Sequence, residues 1–142
     1  MSRYTYHMDD CVISVPEGFR DRAIHVLEWA AEDESPIVLI VQRDKLANKT
    51  LEEYVEQDSR DYDTRFKRHA PEELPEGPSL PTPCVQRAFR WVRGEEVLYN
   101  RHVYLADAAL VICMMTSGLA RHRPRIDQIA GDAVESLCFR ED

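Results

Sequence analysis

The spacing of apolar residues predicts a three-stranded meander in the middle of the chain. Between Cys84 and Ser117, strand-forming runs are separated by turns at Arg93–Glu95 and Ala106–Ala108, where Gly and Asp permit tight backbone geometry. A sheet with one face in water alternates apolar and polar residues, but the third run, Leu110–Met115, is apolar at every position. Both faces of this part of the sheet are therefore expected to leave water.

Shorter strands are predicted before the meander. They are bounded by turn-forming residues, and they are Tyr4–Met8, Cys11–Val15, Ala23–Trp29 and Ile37–Gln42. The segment Ala70–Pro83 is rich in proline, which excludes a helix or a central strand and predicts a surface loop.

Two amphipathic helices complete the pattern. Thr50 and Glu53 form a capping-box sequence, and an apolar stripe at helical spacing follows as far as Phe66. A second stripe begins near Pro124 and continues to Leu137. Residues 1–142 are therefore predicted to form one α+β domain, a curved and mostly antiparallel sheet of about seven strands with two helices on one face.

Two helices on one face would leave apolar side chains on the other face in water. Burying one Leu, Ile or Val contributes about 1.5–3 kcal/mol, so five or six such side chains left exposed would forgo roughly 10 kcal/mol. A contiguous patch of this kind usually marks a binding surface. Apolar residues of both parities are also typical of an ordinary core together with a dimer interface, and the pattern leaves both readings open.

The composition limits the classes of partner that the protein is expected to bind. The chain has 142 residues and a net charge of −8, with no cluster of Lys and Arg, which argues against nucleic acid. No run approaches the length of a transmembrane helix, and the N-terminal residues carry no export or lipidation signal. We therefore expect a cytoplasmic protein with no direct membrane association. The four cysteines lie far apart and are expected to be small buried hydrophobes.

Few residues have the side chains and spacing typical of a catalytic or metal-binding site. His7, Asp9, Asp10 and Cys11 have metal-ligand side chains, but they would diverge in a hairpin, so no metal is predicted. His102 with Cys113 has the residue types of a nucleophilic pair, although an apolar run around Cys113 would keep its thiol protonated. There is no glycine-rich phosphate loop and no hydrolase motif, so neither a cofactor nor catalytic residues are predicted.

Several segments, spread over nearly the whole chain, carry a family resemblance. They are Tyr4–Val15, VPEGFRDRAIHVLEW at Val15–Trp29, VLIVQRD at Val38–Asp44, TLEEYVEQ at Thr50–Gln57, and the W-x-x-x-x-E-x-x-x-x-R-H-V-Y run at Trp91–Tyr104. In order and spacing the chain resembles the DcrB-like family and, within it, the Eag-type chaperones of type VI secretion effectors.

The resemblance implies a Mog1/PsbP-like fold and a homodimer that shields the N-terminal hydrophobic helices of an effector, often one with a PAAR tip and an Rhs shell, until it loads onto the secretion spike. It also implies a client-facing strand surface containing Ile24, Val26, Val38 and Ile40. The predicted client-binding set is completed by Gln42, His102 and Met114. His102 stands where the family often has Gln, and methionine adapts its shape to a client.

Three hypotheses follow. The first is a secretion chaperone that binds hydrophobic helices of one effector. The second is a non-catalytic binding module of the same fold that engages a folded soluble partner. The third is a small enzyme that uses Cys113 and His102.

Overall fold

A computed structural model of the chain describes residues 3–7, 12–17, 24–74 and 83–137. They form an α+β structure with antiparallel strand pairing throughout, as predicted. The strands are β1 (Arg3–His7), β2 (Val12–Pro16), β3 (Ile24–Ala30), β4 (Pro36–Lys45), β5 (Ala70–Pro71), β6 (Cys84–Arg93), β7 (Glu96–Asp107) and β8 (Leu110–Leu119). The helices are α1 (Leu51–Ser59), α2 (Tyr62–Arg65) and α3 (Arg123–Ser136), the last preceded by a 3-10 turn at Ala120–His122.

The strands form two sheets. β1 and β2 make a separate hairpin, while the other six are ordered β3-β4-β8-β7-β6-β5. The meander from β6 to β8 is confirmed, and its first turn places Gly94 at a φ of 62°, where glycine carries no steric penalty. Asp9, Asp10 and Cys11, three of the four N-terminal residues with metal-ligand side chains, lie outside the described residues.

The first helix begins where the capping box predicts. The Thr50 hydroxyl accepts a hydrogen bond from the Glu53 amide at 3.1 Å, and the Glu53 carboxylate accepts one from the Thr50 amide. The apolar stripe does not continue as one helix, because α1 ends at Ser59 and the short α2 carries Tyr62 over the sheet. Pro124 lies in the first turn of α3, as expected.

The two helices were predicted on one face of the sheet, and this prediction is wrong. Tyr104 and Cys113 pack against α1, whereas their chain neighbours Val103 and Met114 pack in the cluster that receives α3. Because neighbouring residues of a strand point to opposite faces, α1 and α3 cover opposite sides of β7 and β8. This explains why the run Leu110–Met115 in β8 is apolar on both faces.

A buried polar contact fixes α3 on its face. The Arg101 guanidinium donates to the Asp127 carboxylate at 3.0 Å, and the Tyr99 hydroxyl donates to the same oxygen at 2.7 Å. Both side chains of the ion pair are largely buried, with exposures of 8% and 17%.

Among the described residues, no helix has the length and apolar character needed to cross a lipid bilayer.

Candidate functional site

The outer strand β3 is exposed along its whole length. Ile24 is 58% exposed and Val26 is 63% exposed, although both are large aliphatic residues. β3 pairs with β4 so that Ile24 lies opposite Gln42 and Val26 opposite Ile40. Isolated apolar residues on a surface are common, but a contiguous group of them is unusual for a chain that acts alone.

Five of the seven residues predicted to bind a client meet on this face. We call this surface the β3–β4 patch, and its members are Ile24, Val26, Val38, Ile40 and Gln42. The three residues on β4 are half-buried. The patch is on the same face of the sheet as α1, because Ile40 lies opposite Met115, which packs against the α1 cluster. The main contacts of α1 are with β6 and β7, so it borders the patch without covering β3.

The structure places the other two predicted residues elsewhere. Met114 is 4% exposed and faces α3, on the opposite side of the sheet from the patch. Its neighbour Met115, half-buried beside Ile40, is the methionine next to the patch. His102 is on the patch side, but it is fully buried beneath Tyr62 of α2 and two strands away from β4. A reading of the sequence could not have fixed either placement, because both depend on strand register and on where α2 crosses the sheet.

A hydrogen-bonded chain explains the burial of His102. The Tyr104 hydroxyl donates to the Asp58 carboxylate at 2.6 Å, so it accepts from the Tyr62 hydroxyl, 2.5 Å away. The proton of Tyr62 is then committed to Tyr104. Its oxygen must therefore accept from Nδ1–H of His102 at 2.8 Å. These hydrogen bonds assign the neutral His102 to the tautomer with its proton on Nδ1.

The series of hydrogen bonds continues on the other side of the His102 imidazole. Nε2 of His102 accepts from the Asn100 amide at 3.2 Å. The Asn100 carbonyl oxygen accepts from the indole N–H of Trp91 at 2.8 Å and from the Ser117 hydroxyl at 2.5 Å. Ser117 lies opposite Val38, so this network reaches from α1 to the border of the β3–β4 patch.

Burial keeps both members of the proposed nucleophilic pair neutral. Desolvation, together with electrostatic interaction with Arg65 and His69, lowers the pKa of His102 to about 3. Desolvation and the nearby Asp58 carboxylate raise the pKa of the Cys113 thiol to about 12. Both nitrogens of His102 are already hydrogen-bonded, so neither is available to take a proton from Cys113.

A cavity of about 430 Å³ lies beside α1, at the other end of the network. It is lined by acidic and basic side chains together, among them Asp44, Asp58 and Lys49. The Tyr54 hydroxyl donates to Asp44 at 2.9 Å, and burial together with this bond raises the pKa of Tyr54. Within the described residues, no three His, Cys, Asp or Glu side chains are arranged to hold a metal ion.

The turn between β3 and β4 is tied to the segment that precedes α3. The Asp33 carboxylate accepts hydrogen bonds from Arg121 and lies 3.0 Å from Nε2 of His122. Ser35 donates to the same carboxylate, and the bonds from Ser35 and Arg121 lower the pKa of Asp33. These contacts hold the β3–β4 hairpin in position although no described helix lies over its outer strand.

The opposite side of β3 is also exposed. Leu27 is 58% exposed and Trp29 is 43% exposed, and they point away from the β3–β4 patch. The Arg125 guanidinium of α3 lies 4.7 Å from the centre of the Trp29 ring, a cation–π contact. β3 therefore presents large apolar side chains on both of its faces.

Comparison with known proteins identifies the fold and the family. The structure is similar to the crystal structure of PA94, a protein of unknown function from Pseudomonas aeruginosa, with a TM-score of 0.77. The two chains are 14% identical over 99% of each, so this likeness shows the fold alone. No curated protein matches the sequence. The model of the DcrB family matches residues 11–136, and the chain belongs to the DcrB family.

Proposed function

We propose that this protein is a chaperone that shields the N-terminal hydrophobic helices of a type VI secretion effector of the PAAR/Rhs type and helps to load it on the secretion spike. The observation that supports the proposal is the β3–β4 patch, where Ile24 and Val26 are more than half exposed beside half-buried aliphatic residues. The chaperone would act in the cytoplasm as a homodimer, without cofactor or metal.

The physical basis is burial of apolar surface in the complex. Full burial of an Ile or Val side chain contributes about 1.5–3 kcal/mol, and more than half of that gain is still available at Ile24 and Val26. A transmembrane helix exposes apolar side chains on every side, so it can use such a surface in any rotation. The Gln42 amide lies within the patch and can hydrogen-bond the unpaired backbone groups of a helix end.

A second candidate function rests on the other side of β3. Trp and Arg are enriched at the energetic centres of protein interfaces, and Trp29 stacked with Arg125 supplies this pair on an exposed surface. A non-catalytic binding module would use it to engage a folded soluble partner.

Co-expression separates the two candidates. The protein is produced together with candidate effectors encoded by neighbouring genes, each with and without its N-terminal hydrophobic segment. The amount of effector captured is compared between the two forms. The chaperone requires capture to depend on the segment. Capture that ignores the segment would favour the binding module.

Substitutions in the patch test the surface itself. We expect Ile24→Asp and Ile40→Asp to abolish capture, because each would bury a carboxylate in the complex. Leu110→Asp is the matched control, since Leu110 is 41% exposed at the far end of β8. Circular dichroism should show that the Ile24 variant stays folded. Capture unchanged by Ile24→Asp would rule out the β3–β4 patch as the binding surface.

A further inference from the structure

The β3–β4 patch is bordered by a carboxylate at each of its ends. On the patch face of β4, Val38, Ile40 and Gln42 are followed by Asp44, because alternate residues of a strand point to the same side. At the other end, Glu28 of β3 lies opposite Val38. The two carboxylates are therefore about six residues of strand apart, or roughly 20 Å, with mainly apolar side chains between them.

The two ends of the patch differ in shape. Glu28 is exposed on the outer strand, whereas Asp44 lines the cavity of about 430 Å³ beside α1. Asp58, near the end of α1, and Asp61 line the same cavity. The cavity is larger than one lysine or arginine side chain, and it lies in line with the patch along β4.

Asp44 and Asp58 have no cation beside them. Asp44 accepts from the Tyr54 hydroxyl at 2.9 Å and from the Lys45 backbone amide at 2.8 Å. Asp58 accepts from the Tyr104 hydroxyl at 2.6 Å. These donors are all neutral, and in the described part of the chain neither carboxylate forms an ion pair. Both carboxylates can therefore still take a cationic partner.

The lysines that line the cavity do not reverse its charge. The Lys49 ammonium donates to the Gln57 side chain, and Lys45 is exposed. Three carboxylates against two ammonium groups leave a net negative lining. Burial raises the pKa of Tyr54, and the bond to Asp44 and the charges of Asp44 and Asp58 raise it further, as expected where the potential is negative.

We propose that this cavity binds a lysine or arginine that flanks the hydrophobic helix of the client, so that the client lies along β4 with its basic end beside α1. The proposal rests on the proposed function, because it requires an apolar helix on the β3–β4 patch. Hydrophobic helices that cross membranes commonly carry Lys or Arg at one end. The apolar stems of these side chains can follow the patch while their charged groups reach the carboxylates.

The same charges make the cavity selective. An acidic flank would place like charges next to Asp44 and Asp58, and a neutral flank would leave both carboxylates without a cation. Specificity that comes from a repulsive contact as well as an attractive one is common in protein recognition. The apolar patch would thus supply affinity for any hydrophobic helix, and the cavity would fix its direction.

Peptide binding separates the role of the cavity from that of the patch. Wild type is titrated with two peptides of about 20 apolar residues that carry the same neutral solubilising tag, one with lysine ends and one with glutamine ends. At low salt the lysine-ended peptide should bind about tenfold more tightly, and salt at about 0.5 M should reduce the difference. Equal affinity at low salt would overturn the cavity as a site and leave the proposed function standing. Failure of both peptides to bind would refute the proposed function, and this proposal with it.

A double substitution tests the carboxylates. In Asp44→Asn with Asp61→Asn the side chains keep their size, and Asn at position 44 can still accept from Tyr54. Affinity for the lysine-ended peptide should fall about tenfold, while affinity for the glutamine-ended peptide stays the same. Glu52→Gln with Glu56→Gln is the matched control, since it removes two charges from exposed positions of α1 outside the cavity. An equal loss in the control would overturn the site in favour of the general charge of the protein.

Cross-linking locates the basic end of the client. A carbodiimide condenses a lysine amine with a carboxylate that it contacts, which forms an amide with the loss of one water. For a peptide with lysine at one end and glutamine at the other, mass spectrometry should map the amide to Asp44, Asp58 or Asp61. An amide at Glu28 instead would place the basic end at the opposite end of the patch and overturn the proposed direction.

Discussion

Burial of His102 as a neutral imidazole makes the stability of the fold depend on pH. The pKa of His102 is lowered from 6.5 to about 3 in the folded chain, so the unfolded chain binds a proton more readily. The stabilisation is fully present above the ordinary pKa of 6.5 and is lost as the pH falls toward 3. We expect acid to weaken the fold through this one side chain.

The size of this loss of stability follows from the shift in the pKa of His102. Each pKa unit corresponds to about 1.36 kcal/mol, so from pH 7 to pH 5, about 1.5 units below the unfolded pKa, the loss is about 2 kcal/mol. Burial is the main cause of the shift, and the side chains that act on the imidazole, Arg65, His69 and Tyr62, all remain in the variant chosen for comparison. That variant is His102→Gln, whose amide can still donate to Tyr62 and accept from Asn100.

Urea unfolding followed by tryptophan fluorescence measures the effect. Wild type and His102→Gln are unfolded at about pH 7 and about pH 5, and the free energy of unfolding is compared between the two pH values for each protein. All other ionisable groups are the same in the two proteins, so their contributions cancel in the difference. The wild type should lose about 2 kcal/mol more than the variant. An equal loss in both would show that His102 is not held neutral in the core.

Four further substitutions test the packing by the same unfolding assay. Thr50→Ala removes the capping box and should cost about 1 kcal/mol. Gly118→Ala places a Cβ 3.2 Å from two isoleucine side chains and should cost about 1–3 kcal/mol, whereas Gly131→Ala meets no atom within 4 Å and should stabilise α3 by up to about 1 kcal/mol. Asp127→Ala leaves the Arg101 guanidinium buried without its carboxylate and should cost about 3–5 kcal/mol. A loss below about 1 kcal/mol for Asp127→Ala would mean that water replaces the carboxylate.

Local signals in the sequence were sufficient for most of the elements. The capping box at Thr50, the glycine of the first meander turn and Pro124 near the start of α3 each act through contacts within a few residues, and each is confirmed. The placement of the helices was wrong because helical periodicity shows which side of a helix is buried but not which face of the sheet it covers. The apolar run Leu110–Met115 contained that information, since a strand apolar on both faces requires a cover on each.

The candidate site was predictable to the extent that it depends on one strand pair. Ile24 and Val26 alternate on β3, Val38 and Ile40 alternate on β4, and the register of the hairpin brings them together. Met114 could not be distinguished from Met115 without the register of β8 against β4. The burial of His102 depends on α2, about 40 residues earlier in the chain, and nothing local to His102 indicates it.

The exposed edge follows from how the chain uses its helices. α1 packs mainly on β6 and β7 from one side, and α3 packs on β7 and β8 from the other, so the central strands are covered twice. Within the described residues, no long helix is therefore left to pack along β3. An apolar strand that its own chain does not cover can bury surface against a partner, as the proposed function requires. The arrangement that builds the core of the protein is thus the same arrangement that leaves the β3–β4 patch open.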